Sequence, residues 1–175
     1  MTIKINPQAL TESRLQLHYA VQYIAATGAA LLEPLPDYSH SSITWHPALD
    51  VFVGTVIPAA QPFQVALDPV SLTLILLDPQ NDTITSLPLH GKTMLEGLDW
   101  LHQEISILGA DASKIVFLDY PPPPDDFPDH PLAHGASFDA SQSTALRALA
   151  AYYTIAHRLL QTIVSTNNNA SAIHI

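Results

Sequence analysis

Between residues 43 and 89 the side chains alternate, and the gaps between the alternating runs are short. In ITWHPALDVFVGTVI (43–57) the apolar positions are Leu49, Val51 and Val53; in FQVALD they are Phe63, Val65 and Leu67; in SLTLILLD they are Leu72, Leu74 and Leu76. TITSLPL (83–89) makes a fourth run. A period of two puts each set on one face of a strand. Pro58 and Pro62 bracket one connection, Asp68-Pro69 turns the next, and DPQND (78–82) turns the third. Parallel neighbours need crossovers of a dozen or more residues, so strands joined this closely must pair as an antiparallel meander. Pro47 falls early in its run, where a bulge or an edge strand tolerates it.

Helical periodicity flanks this block. Asn6-Pro7 starts a helix over residues 7–32, with a capping side chain followed by proline at the first helical position. Its stripe is Leu10, Leu17, Val21, Ile24, Gly28 and Leu31, and Pro34 and Pro36 end it. Gly28 either weakens the last turns or lets another backbone come close. Thr93 and Glu96 form a capping box for a second helix, with stripe Met94, Leu98, Leu101, Ile105 and Leu108 and a C-terminal cap at Gly109. KIVFLDY (114–120) reads as a fifth strand, apolar on both faces and so covered on both sides. A third helix, capped by Asp139 with Gln142 or by Ser141, carries the stripe Ala145, Leu149, Tyr152, Ala156, Leu159 and Ile163. The expected fold is α+β, an antiparallel sheet of four to five strands with three helices packed on it, in the order α-β-β-β-β-α-β-α. Residues 1–166 are expected to be a single domain and residues 167–175 a polar, disordered tail.

Composition narrows the functions. The 175 residues include no cysteine, which excludes disulfides, thiolate catalysis and cysteine-ligated zinc or iron–sulfur sites. Charged residues are 13%, about half the usual share, so the surface resists association less and a homo-oligomer is expected. Sixteen acids face six basic residues, Lys4, Arg14, Lys92, Lys114, Arg147 and Arg158, which are scattered along the chain. With no basic stripe to displace counterions, nucleic acid and anionic membranes are not expected partners. The sequence has no apolar run of spanning length and no secretion signal at its start, so the expected compartment is the cytoplasm. Dinucleotide, phosphate-loop, nucleophile-elbow, H-E-x-x-H and EF-hand patterns are missing.

Polar chemistry gathers in residues 121–141, PPPPDDFPDHPLAHGASFDAS. Asp125, Asp126, Asp129, His130, His134 and Asp139 lie within fifteen positions. Imidazole with carboxylate is the ligand set of zinc, iron, nickel or manganese, and Asp129, His130 and His134 are the candidate ligands of a divalent transition metal. His130 and His134 are four apart, a helical spacing, with Pro131 between them. The plainer reading is a hydrophilic proline-rich connection. The run 121–124 favours a polyproline II spacer, or a ligand for the aromatic-lined groove of a protein partner. Ser137 stands near His134, but adjacency does not make a triad. Each helix also carries one histidine beside its stripe, His18, His102 and His157; they either converge on a pocket or sit separately at the rim. Trp45-His46, Tyr38 to His40 and Trp100 mark either pockets or core.

The layout resembles a family of uncharacterised bacterial proteins. The residues that carry the likeness are Trp45 leading into Leu49-Asp50-Val51, then Gly54 to Pro58, then Phe63 to Asp68. Leu108-Gly109 ends a helix, and Phe127, Asp129, His134, Phe138 and Asp139 follow in order. The likeness would span residues 17–163. Longer members have a second half with further aromatic and acidic motifs, which this chain lacks. The resemblance implies no activity; it singles out His134 and Asp139 above His130. The leading expectation is therefore a soluble, acidic, self-associating protein. One rival is a small-molecule or metal-binding module, hydrolytic in its enzymatic form, built on the loop 125–139 with His134, Asp139 and Trp45 at the ligand. The other is an interaction module that presents the proline run.

Overall fold

The computed structural model describes residues 6–117 and 130–166. Pro121 to Pro124, Asp125, Asp126, Phe127, Asp129 and the 167–175 segment lie outside the described residues.

The fold is α+β, an antiparallel five-stranded sheet with helices packed on one face. Strands β1 (Thr44–His46), β2 (Val51–Val53), β3 (Gln64–Asp68), β4 (Thr73–Leu77) and β5 (Thr83–Pro88) lie side by side in chain order, each antiparallel to the next. The short connections dictate this meander. Its register sets Trp45 opposite Phe52, Phe52 opposite Leu67, Leu67 opposite Leu74 and Leu74 opposite Leu87. Directly opposed residues share a face, so these five, with Val65 and Leu76, make one apolar floor for the helices. The other face holds a smaller cluster, Val51, Val53, Ala66, Ile75 and Leu77.

The 43–57 run supplies two strands, not one. Asp50, at φ 54°, turns the chain between β1 and β2. This keeps the strand count at five although KIVFLDY forms no strand over its described residues. There Ile115 follows a 3-10 turn, Ala112–Lys114, and is fully buried, while Val116 is 63% exposed. The His102 ring bonds the Ile115 carbonyl at 2.8 Å. The extended pairing after the second predicted helix comes later, where Ser137 and Phe138 bridge to Thr93 and His90.

The first helix runs as α1 (Pro7–Ala20) and α2 (Gln22–Leu31), with Val21 between them at helical dihedrals. Asn6 caps it by accepting from Gln8 N, with Pro7 at the first position, as the sequence predicts. Helix α3 (Met94–Ile107) has its full capping box: Glu96 N donates to Thr93 Oγ1 (3.2 Å) and Thr93 N to Glu96 Oε2 (2.7 Å). Helix α4 (Ser143–Thr166) lies against α1 and β1, α2 lies over β3, and α3 over β5.

Helix α4 is turned away from its expected face. It buries Ala145, Leu146 and Ala150, and Tyr153 packs edge-on against Phe52 and stacks with Trp45. Tyr152, Leu159 and Ile163, the centre of the expected stripe, stay exposed. Among the described residues no helix is long and apolar enough to cross a membrane.

Candidate functional site

The described part of the proline-rich loop, residues 130–141, folds back onto α1, and His130 and the Asp139 backbone serve that contact. Leu132 and Phe138 are buried anchors. His130 is buried too, its ring stacked on Tyr19 at 5.4 Å. Its Nδ1 accepts from Leu132 N (3.3 Å), which puts the proton on Nε2, and Nε2–H donates to Glu12 Oε1 (3.0 Å). Gln16 completes the fastening: Nε2 donates to the same Glu12 oxygen (2.7 Å), and Oε1 accepts from Asp139 N (3.1 Å). Both nitrogens of His130 are thus occupied by protein groups.

Asp139 accepts from the Ser141 backbone N–H (2.8 Å) and hydroxyl (2.9 Å), which hold its carboxyl below its ordinary range. It therefore braces the residues before α4. His90 Nδ1 lies 3.6 Å from Asp139 Oδ1 but accepts from Ala140 N at 3.1 Å. The shorter, directional bond fixes that nitrogen as an acceptor, so the two are neighbours, not a salt bridge.

The remaining sequence candidates disperse. His134 ends the 3-10 turn Pro131–His134 and is exposed; Asp129 lies outside the described residues. Among the described residues no group of three or more His, Asp or Glu could hold a metal ion. Trp45 is in the core, against Phe52 (5.1 Å) and Tyr153 (5.9 Å), with its indole N–H buried and without an acceptor among the described residues. The three helix histidines have different neighbours. His102 bonds Ile115 O, and His157 lies 3.4 Å from Gln161. His18 borders a cavity of about 260 Å³ with Arg14 and Tyr153, where burial and then Arg14 lower its pKa.

Since Glu12 is half-exposed, water can partly replace it at His130. Glu12→Ala is accordingly expected to cost about 1 kcal/mol, with faster amide exchange at Leu132 and Asp139 and no change at β3 or β4. Unchanged exchange at both amides would show that the fastening does not hold the loop.

A larger recess lies where α2 meets the β1 end of the sheet. It has a volume of about 500 Å³. Its construction starts at the helix end. Leu32 leaves α2 in extended conformation, and Pro34 and Pro36 prevent a return to helix. Asp37 then accepts from Ser39 N (3.1 Å) and Ser39 Oγ (2.8 Å), and Tyr38 adopts the left-handed region at φ 59°. These bend the chain into the 3-10 turn Ser39–Ser41, which rests on α2 at Gly28. A Cβ on Gly28 would stand 2.6 Å from His40 O and 3.0 Å from Ser41 Cα, so only glycine admits the turn. Gly54 does the same on the opposite wall, where a Cβ would meet Ile24 Cγ2 at 2.7 Å.

The turn delivers His40 to the wall at 8% exposure. Its Nδ1 accepts from Leu35 N (3.1 Å), which fixes the proton on Nε2 and makes that atom a donor. Leu32 and Leu35 supply apolar wall, Thr44 and Thr55 hydroxyls, and Glu33 the one carboxylate; the lining contains no lysine or arginine. Thr44 Oγ1 donates to Val53 O (3.3 Å), so what it offers another molecule is a lone pair. Tyr38 to His40 was legible as an aromatic cluster that marks either pocket or core. Nothing in the sequence said that Gly28 would seat it.

Against models of known families, curated proteins and solved structures, the chain finds no match.

Proposed function

We propose that the protein is a binding module for a small neutral or cationic molecule, taken up in the recess beside His40. The observation that carries this is the imidazole: almost fully buried, held in one tautomer by the Leu35 N–H, and set in the wall of a cavity of about 500 Å³. Apolar walls with a few fixed polar groups are the usual make-up of a small-molecule site. The charge pattern selects the ligand. Glu33 faces no cation in the lining, and the chain carries a formal net charge of −10, so an anion is repelled both locally and at long range. His40 Nε2–H asks for one acceptor on the ligand, and Glu33 favours a donor or an ammonium.

The test is a fragment screen by protein-observed NMR, with neutral, cationic and anionic fragments in equal numbers. Neutral and cationic fragments are expected to shift amides of residues 32–44 and 54–55. His40→Phe, which keeps an aromatic ring there and removes the donor, is expected to weaken the best of them up to about tenfold, the upper end of what one hydrogen bond contributes. Binding dominated by anions, or undiminished in His40→Phe, would overturn the reading.

A further inference from the structure

We propose that the outward face of α4 is an interface with a second copy of this chain, an assignment that goes beyond the ligand site and does not depend on it. Ala145, Leu149, Tyr152, Ala156, Leu159 and Ile163 are separated by four, three, four, three and four residues, the spacing of a seam that two helices close between them. The chain's own core takes the first half of the helix, burying Ala145, Leu146 and Ala150 and packing against Leu149 and Tyr153, so the seam is left open from Tyr152 onward. The tie between Thr154 Oγ1 and Asp50 (3.1 Å) is followed by a run with no comparable anchor among the described residues: Ile155 is 65% exposed, Leu159 62%, Ile163 49% and Leu160 39%, beside Tyr152 at 64%. A surface helix ordinarily turns such residues inward.

Charge and size both point to a second copy. From Ala148 to Thr166 the only charged residue is Arg158, and there is no acid, in a chain whose formal net charge is −10. Two copies that meet elsewhere bring carboxylates together; here they bring together neutral faces. The five exposed side chains present on the order of 100 Å² each, roughly 500 Å² per copy and about 1,000 Å² per pair, the lower bound for a biological interface. An identical seam on both partners makes the pairing isologous about a twofold axis. Antiparallel helices place the two acidic bodies at opposite ends, whereas parallel helices place them side by side. The antiparallel arrangement centred near Leu159 follows, with Ile155 of one copy opposite Ile163 of the other.

Light scattering on the full chain near 100 μM is expected to give twice the 19.0 kDa chain mass. Leu159→Asp, which puts two carboxylates together at the axis, is expected to weaken the dimer at least about 100-fold while leaving the circular dichroism unchanged, because the side chain is exposed in the single copy. The absence of cysteine gives a second readout. Leu159→Cys is expected to cross-link into a disulfide dimer on mild oxidation, and Tyr152→Cys is not, because the antiparallel pairing separates its two copies. A monomer at this concentration, or a dimer indifferent to Leu159→Asp, overturns the proposal. Efficient cross-linking of Tyr152→Cys overturns the antiparallel geometry. A monomer that floats with neutral lipid vesicles would show that the face meets lipid instead.

Discussion

Tyr23→Ala is expected to cost about 4 kcal/mol of stability, the range of a large aromatic truncated in a closed core. The ring is fully buried where α2, α3 and the returning loop meet. Its hydroxyl donates to Met94 O (2.9 Å), and Phe117 lies edge-on at 5.3 Å and Phe138 at 6.4 Å. Across it stands Gly97, where a Cβ would fall 2.7 Å from Tyr23 Cζ and closer still to the hydroxyl. Gly97→Ala is therefore expected to destabilise by about 2 kcal/mol through overpacking, despite alanine's better helix propensity. Tyr23→Phe removes the nearest atom, so the two changes together should cost about 1 kcal/mol less than their sum. Urea unfolding of the single and double variants measures this. Simple additivity, or a Gly97→Ala variant as stable as the parent, would refute the packing described.

The same residue carries a pH dependence. Burial, and then the charge of Glu96, raise the Tyr23 phenol above its ordinary value. In the unfolded chain a tyrosine ionises near about 10. Above that pH the unfolded state loses a proton that the folded state keeps, so stability falls as pH rises; below it the two states bind the proton alike and the effect vanishes. Tyr23→Phe is expected to lessen the loss of stability between neutral pH and the alkaline range. An equal loss in both proteins would place the alkaline sensitivity elsewhere.

What the sequence showed and what it concealed divide along physical lines. The β2 to β5 meander was legible because alternation and turn chemistry are local, and the α3 cap because Thr93 and Glu96 are three apart. Of KIVFLDY only Lys114 to Phe117 are described, and a short apolar run carries no periodicity to tell strand from buried loop there. Helix α4 carries apolar residues over so wide an arc that two stripes are available. Trp45 and Phe52, distant in sequence, select the one that holds Tyr153. The engagement of His130 and Asp139 was not legible because composition says nothing of partners; Glu12 and Gln16, which engage them, lie more than a hundred positions away. The His40 recess was hidden for the opposite reason, since its decisive residue contributes no side chain at all.

That residue gives the sharpest test of the site. In an exposed helix, Gly28→Ala would stabilise by about 1 kcal/mol from propensity alone. Here the new methyl meets backbone atoms, His40 O and Ser41 Cα, which have no rotamer to escape into. The 3-10 turn must move off α2, and with it goes the Leu35 N–H bond to His40 Nδ1. Overpacking of about 1–3 kcal/mol plus about 1 kcal/mol for the bond outweighs the propensity gain, so the net expectation is a loss of about 2 kcal/mol. Gly54→Ala is the matched comparison: its methyl meets Ile24 Cγ2, a buried β-branched methyl that is stiff at χ1, so it also costs stability, but it touches no atom of the 39–41 turn and His40 stays where it is. The two variants should therefore part in function more than in stability: Gly28→Ala abolishes fragment binding in the recess, and Gly54→Ala reduces it. A Gly28→Ala protein more stable than the parent would mean that the turn does not sit on α2, and the pocket would fall with it. If stability drops as expected while binding persists, the turn packs as described but His40 is not the group that holds the ligand.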